Sequence, residues 1–81
     1  MKVHDLKISV KYFDAVESCI KNAEVRYNDR DYGVGDWLVL REWDGKRYTG
    51  RCVLRRIMYI VDLAEIGCEK WVLLCMGSIA S

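Results

Sequence analysis

Lys21, Glu24, Arg26 and Asn28 stand within eight consecutive positions, where an apolar helical stripe gives way to an alternating strand pattern. An ammonium and a guanidinium bind phosphate or carbonyl oxygens, and a carboxylate accepts from the amino groups of nucleobases. Gathered in one small volume, the three charges suit a polar, planar ligand. Spread over a solvated strand face, they amount to a Glu24–Arg26 ion pair worth under about 1 kcal/mol. The elements that place them decide between the two.

Leu6-Lys7-Ile8 reads as a short opening strand, and the Ser9 hydroxyl can cap the helix that follows. Tyr12, Phe13, Val16, Cys19 and Ile20 form one apolar stripe, which predicts a helix from Val10 to about Ile20. In the alternating stretch Ala23–Tyr27, Ala23, Val25 and Tyr27 share one strand face, and Glu24 and Arg26 the other. Lys21 stands at the mouth of that strand. Asn28-Asp29-Arg30-Asp31 and Gly33-Val34-Gly35-Asp36 break the chain, since Asx side chains mimic turns and glycine tolerates positive φ. Trp37–Trp43 reads as a strand, Asp44-Gly45 as a hairpin turn, and Tyr48 to about Val61 as a long return strand, bent or bulged. After a loop through Gly67, Trp71–Met76 reads as a buried strand. Hairpin-linked strands favour antiparallel pairing, and a small sheet protects its edges most completely by closing. The expected fold is α+β: one domain over residues 1–81, a small and mostly antiparallel barrel with one helix near the N-terminus.

Composition narrows the partners. The 81 residues are 52% hydrophobic and 31% charged, a globular balance. The formal net charge is only +1, yet residues 37–56 carry six Lys/Arg against Glu42 and Asp44. Bulk charge therefore cannot hold nucleic acid, although Arg47, Arg51, Arg55 and Arg56 could extend a local phosphate track. Tyr27, Tyr32, Trp37, Trp43 and Tyr48 are the candidate stacking rings. The longest apolar run, Trp71–Met76, falls far short of the roughly 20 residues a membrane helix needs. His4, Asp5 and Lys7 interrupt any N-terminal apolar run, so no membrane contact and a cytoplasmic location are expected. The four cysteines include no CxxC pair; Cys19, Cys52 and Cys75 read as small buried thiols, with no disulfide and no metal site expected. His4, read as part of a flexible N-terminal arm, is the single histidine available to a catalytic triad. No phosphate-cradling glycine motif is present, and no cofactor is expected.

The run Lys21-Asn22-Ala23-Glu24-Val25-Arg26 resembles the helix-exit signature Gly-x-Lys-x-x-Glu-x-Arg of ASCH domains, members of the PUA-like superfamily. His4-x-Leu6-Lys7-Ile8, Asn28-Asp29-Arg30-Asp31-Tyr32, Val34-Gly35-Asp36 and Leu38-x-Leu40-Arg41-Glu42 are similar to a small bacterial and phage branch of that superfamily. That branch is known mainly as a domain of unknown function. The resemblance covers about residues 4–76. It implies a pseudo-β-barrel with a helix covering one opening, and a cleft at the helix exit for RNA or a nucleotide. Carried over by position, Lys21, Glu24 and Arg26 are the signature residues. Lys7 and His4 belong to the opening motif, Arg30 to the loop motif, and Arg41 to the strand after Gly35-Asp36. Two departures stand out. Cys19 replaces the signature glycine, so the tight helix end must be made otherwise, with Asn22 a candidate for the left-handed conformation. Some ASCH proteins hydrolyse the amide of acetylated cytidine with a lysine and a threonine three positions later. Here that position is Glu24, and the attacking hydroxyl is missing.

Three functions follow as alternatives. The first is a binding module for RNA or a nucleotide, using Lys7, Lys21, Glu24, Arg26, Arg30 and Arg41. The second is an amidohydrolase on acylated nucleosides, with Lys21 as its charged catalytic group and Glu24 as general acid/base. The third is a protein-interaction domain presenting the aromatic hairpin around Trp43 and Tyr48. The first is the expectation, without catalysis.

Overall fold

Period-two alternation and the turn residues between the runs produce five strands in a computed structural model that describes residues 1–78. β1 (Val3–Ser9) leads directly into α1 (Val10–Glu17), followed by β2 (Ala23–Tyr27), β3 (Trp37–Trp43), β4 (Tyr48–Asp62) and β5 (Trp71–Ser78). A 3-10 turn over Leu63–Ile66 precedes β5. Residues 79–81 of the expected domain lie outside the described residues. None of the helices among the described residues is long and apolar enough to cross a membrane.

The strands form one sheet in the order β1-β3-β4-β5-β2. Three of its four pairings are antiparallel, but β1 runs parallel to β3, with Leu6 opposite Leu40. The sheet is thus mixed, because α1 and β2 intervene between β1 and β3 and supply the long crossover that a parallel pair needs. Nor does the barrel close. β1 and β2 remain the two edges of a curled half-barrel. The curl comes through β4, whose register shifts against β3 between Arg41 and Trp43 and against β5 between Ile57 and Tyr59. Such bulges raise local twist, as the bent return strand predicted.

Inward-facing residues of the sheet, among them Leu6, Leu38, Leu40, Ile57 and Leu74, form one core with Phe13 and Val16 of α1. Burying each such side chain contributes roughly 1.5–3 kcal/mol. The cysteines are not part of it: Cys19, Cys52 and Cys68 are exposed and Cys75 half-buried, all with free thiols. Cys52 belongs to the outward set of β4, and Cys19 lies past the helix end.

The helix is shorter than its stripe. The Ser9 hydroxyl accepts from the Lys11 N–H at 3.1 Å, but the helix ends at Glu17. Cys19 itself turns left-handed at φ 63°, where Asn22 was expected to do so. The Ile20 and Lys21 N–H groups then fold back onto the Ala15 carbonyl, and Ile20 is left 81% exposed. Arg55 of β4 is buried beneath this end, donating to the Val16 and Glu17 carbonyls at 3.0 and 3.2 Å. The helix C-terminal dipole thereby opposes its charge.

His4 is not on a flexible arm. It is buried in β1, its Nε2 2.9 Å from Asp36 Oδ2 and its ring 4.7 Å from that of Tyr32. The Lys2 and Gly33 N–H groups also donate to Asp36. Together these hydrogen bonds, that of Lys2 foremost, hold its carboxyl down at about 2.

Candidate functional site

The unclosed barrel leaves a seam between its edge strands, and the charged group lies there. Lys7–Ser9 of β1 and Ala23–Arg26 of β2 line a hollow of about 410 Å³, completed by Tyr12 of α1 and by Lys21. Glu24 and Arg26 share a strand face, as alternation requires, and that face is the inner one. Glu24 is only 8% exposed, whereas Val25 between them is turned outward. The left-handed turn at Cys19 brings Lys21 back over the start of β2.

The contacts are reciprocal. The Lys21 ammonium donates to Glu24 Oε1 and to the Ala23 carbonyl. The Arg26 guanidinium donates to the Lys7 carbonyl across the seam and stands 3.3 Å from Glu24 Oε2. Two cations therefore flank one buried carboxylate, and both also occupy main-chain acceptors on the edge strands. Side chains close the seam where a complete barrel would use backbone pairing, and they protect the edges from adventitious strand addition. The Arg26 Nε is buried without a hydrogen-bond partner. Among the described residues Lys7 has no carboxylate partner; its ammonium sits 4.0 Å from the centroid of the Trp43 ring. Lys21 and Arg26 against Glu24 leave the hollow one net positive charge, and Lys7 meets it through its carbonyl, its ammonium lying on the outer face of β1.

Arg26 and Val25 also border a second hollow of about 270 Å³. Leu6, Tyr27, Tyr32 and Trp71 supply its apolar and aromatic wall, with Asp29 and Arg30 beside them. Tyr27 and Trp71 meet edge to face at 5.5 Å. Burial raises the Tyr32 phenol above its ordinary pKa. Arg30 therefore belongs to this second hollow, not to the one that holds Lys21 and Glu24.

Arg41 belongs to neither. It is exposed, its Nε 2.8 Å from each Asp5 carboxylate oxygen, and that contact raises its already high pKa. The register that sets it beside Lys7 puts it on the outer face of β1 and β3. The expected arginine track also fails. Arg51 bonds Glu42 and Asp14, Arg55 is buried under α1, and Arg56 lies 5.2 Å from the Trp37 ring centroid. With Thr49, Arg51 holds the Glu42 carboxyl at about 2. Of the four, only Arg51 is ion-paired, and only the Arg47 head group has no partner among the described residues. Tyr12, Ser9 and Trp71 were not anticipated at the site. Tyr12 was assigned to the helix's buried stripe, and the place of Trp71 depends on β5 pairing with β2, Tyr27 opposite Trp71.

For amide hydrolysis the hollow offers the Ser9 and Tyr12 hydroxyls, and Ser9 Oγ already accepts the capping N–H of Lys11. Among the described residues no group of three or more His, Cys, Asp or Glu could hold a metal ion.

Comparison with known proteins adds a family. A relative in Escherichia phage P2, "Uncharacterized 12.9 kDa protein in GpA 3'region", is 45% identical over 73 residues, covering 90% of this chain and 66% of the relative. The chain thus spans about two thirds of that relative's length. Residues 3–76, which include both hollows, match the family model described as "Domain of unknown function (DUF3850)". The chain belongs to the DUF3850 family.

Proposed function

We propose that the seam hollow binds RNA or a nucleotide, and that the DUF3850 fold is a relative of the ASCH domains its helix-exit motif resembles. The observation that carries this reading is the convergence of Lys21, Glu24 and Arg26 on one concavity, with Lys7 on its opposite wall. The cations suit phosphate or carbonyl oxygens, and Glu24 suits the amino edge of a base. Glu24 also disfavours a bare phosphate as the whole ligand, since a carboxylate repels it. The ligand therefore includes a hydrogen-bond donor.

Fluorescence anisotropy with short single-stranded RNA over a salt series tests this. Lys21→Ala weakens binding and reduces the slope of log affinity against log salt by about 0.7, the share of one single-strand phosphate contact. Arg41→Ala, outside both hollows, leaves the slope unchanged. Equal binding by the wild type and Lys21→Ala removes this hollow from the reading. Incubation with acetylated cytidine returns the substrate intact. Turnover abolished by Glu24→Gln would instead establish the amidohydrolase.

A further inference from the structure

The two hollows share Val25 and Arg26 but differ in chemistry. One is lined by Lys7, Lys21 and Arg26 about a buried carboxylate; the other is walled by Tyr27, Tyr32 and Trp71. Between them stands Arg26, whose guanidinium crosses the seam to the Lys7 carbonyl and whose Nε has no partner. Resting on the seam-binding reading above, we infer that the natural ligand is a strand of at least two nucleotides rather than a free nucleotide. The first base lies in the charged hollow, where Glu24 accepts from its amino edge. The linking phosphodiester passes Arg26. The second base enters the aromatic hollow against Trp71 and Tyr27.

Three features support this order. The first hollow holds a carboxylate, already flanked by Lys21 and Arg26, that accepts a further amino group and repels a phosphate. The second brings three rings, Tyr27, Tyr32 and Trp71, beside Arg26, Asp29 and Arg30, and rings stack on any base without reading its sequence. Along β2, Arg26 stands between Glu24, which faces inward, and Tyr27, which faces outward, and it borders both hollows.

Titration calorimetry at low salt compares the dinucleoside monophosphates ApA, CpC, GpG and UpU with the matching 3′-mononucleotides. Each dinucleotide carries less charge than its mononucleotide, so tighter binding reports the second ring and not electrostatics. The best dinucleotide binds about tenfold more tightly or better, the usual size of one stacking contact. Trp71→Ala and, independently, Tyr27→Ala bring that ratio close to one; using the ratio removes any general loss of folded protein. A ratio near one in the wild type overturns the two-nucleotide inference while leaving the seam-binding reading intact. A high ratio unaffected by either variant overturns the assignment of the second base to the aromatic hollow. Absence of binding by every compound overturns the seam-binding reading, and this inference with it. Repeating the series with deoxyribose identifies the sugar that the strand carries.

Discussion

Replacing Arg26 with methionine keeps most of the side chain's length and removes the group that crosses the seam. The loss is a charge-assisted hydrogen bond to the Lys7 carbonyl, roughly 1.5–3 kcal/mol. Added to it is the pairing with Glu24, under about 1 kcal/mol because Lys21 still neutralises that carboxylate. Against these stands the relief of a buried Nε with no partner, roughly 1 kcal/mol. The net loss is about 2 kcal/mol, a large part of the roughly 4–12 kcal/mol expected for a domain of this size. Urea unfolding followed by tryptophan fluorescence measures it. A double-mutant cycle with Glu24→Gln returns a coupling of about 0.5–1 kcal/mol. A loss under about 0.5 kcal/mol, or no coupling, would refute the claim that Arg26 closes the seam and divides the two hollows.

Other expectations are shorter. Cys19→Gly raises stability by about 0.5 kcal/mol, because glycine adopts the left-handed conformation at φ 63° without a Cβ penalty. Cys19→Val lowers it by more, and thermal melts check both. Phe13→Ala, at a fully buried position, costs about 3–5 kcal/mol in urea unfolding. Acid weakens the fold with a defined sign. Asp36 and Glu42 both titrate near 2 when folded, against 3.8 and 4.5 for the unpaired groups. The unfolded chain takes up their protons first, so their stabilisation is complete above about pH 5 and is lost as pH falls toward 2. Asp36→Asn and Glu42→Gln each flatten the fall of the urea midpoint over that range.

Local pattern carried much of the fold. β2 and β3 begin and end at the residues where alternation meets Asx, glycine or aspartate breaks, and β4 and β5 overrun their expected ends by one or two. The helix end was not legible, because Ile20 continues the apolar spacing while Cys19 turns the chain out of it. Pairing was less legible still. Alternation fixes which residues share a face but not which strand lies alongside, so the parallel β1–β3 pair and the open seam do not appear in it. The site divides along the same line. Lys21, Glu24 and Arg26 are close in sequence and meet; Lys7 joins them through the seam. Arg41 matches by motif position, yet Asp5 two residues before Lys7 already holds it. Trp71 could enter only once β5 was known to lie beside β2.

Backbone amide shifts recorded while a short single-stranded RNA is added test the seam as a binding surface most directly. The account predicts progressive shifts confined to residues 7–9, 12 and 21–32 and around Trp71, with the Asp44–Arg47 turn and the Asp5–Arg41 pair silent. Shifts centred on that turn or on the outer face of β1 and β3, with residues 21–26 unmoved, would contradict it.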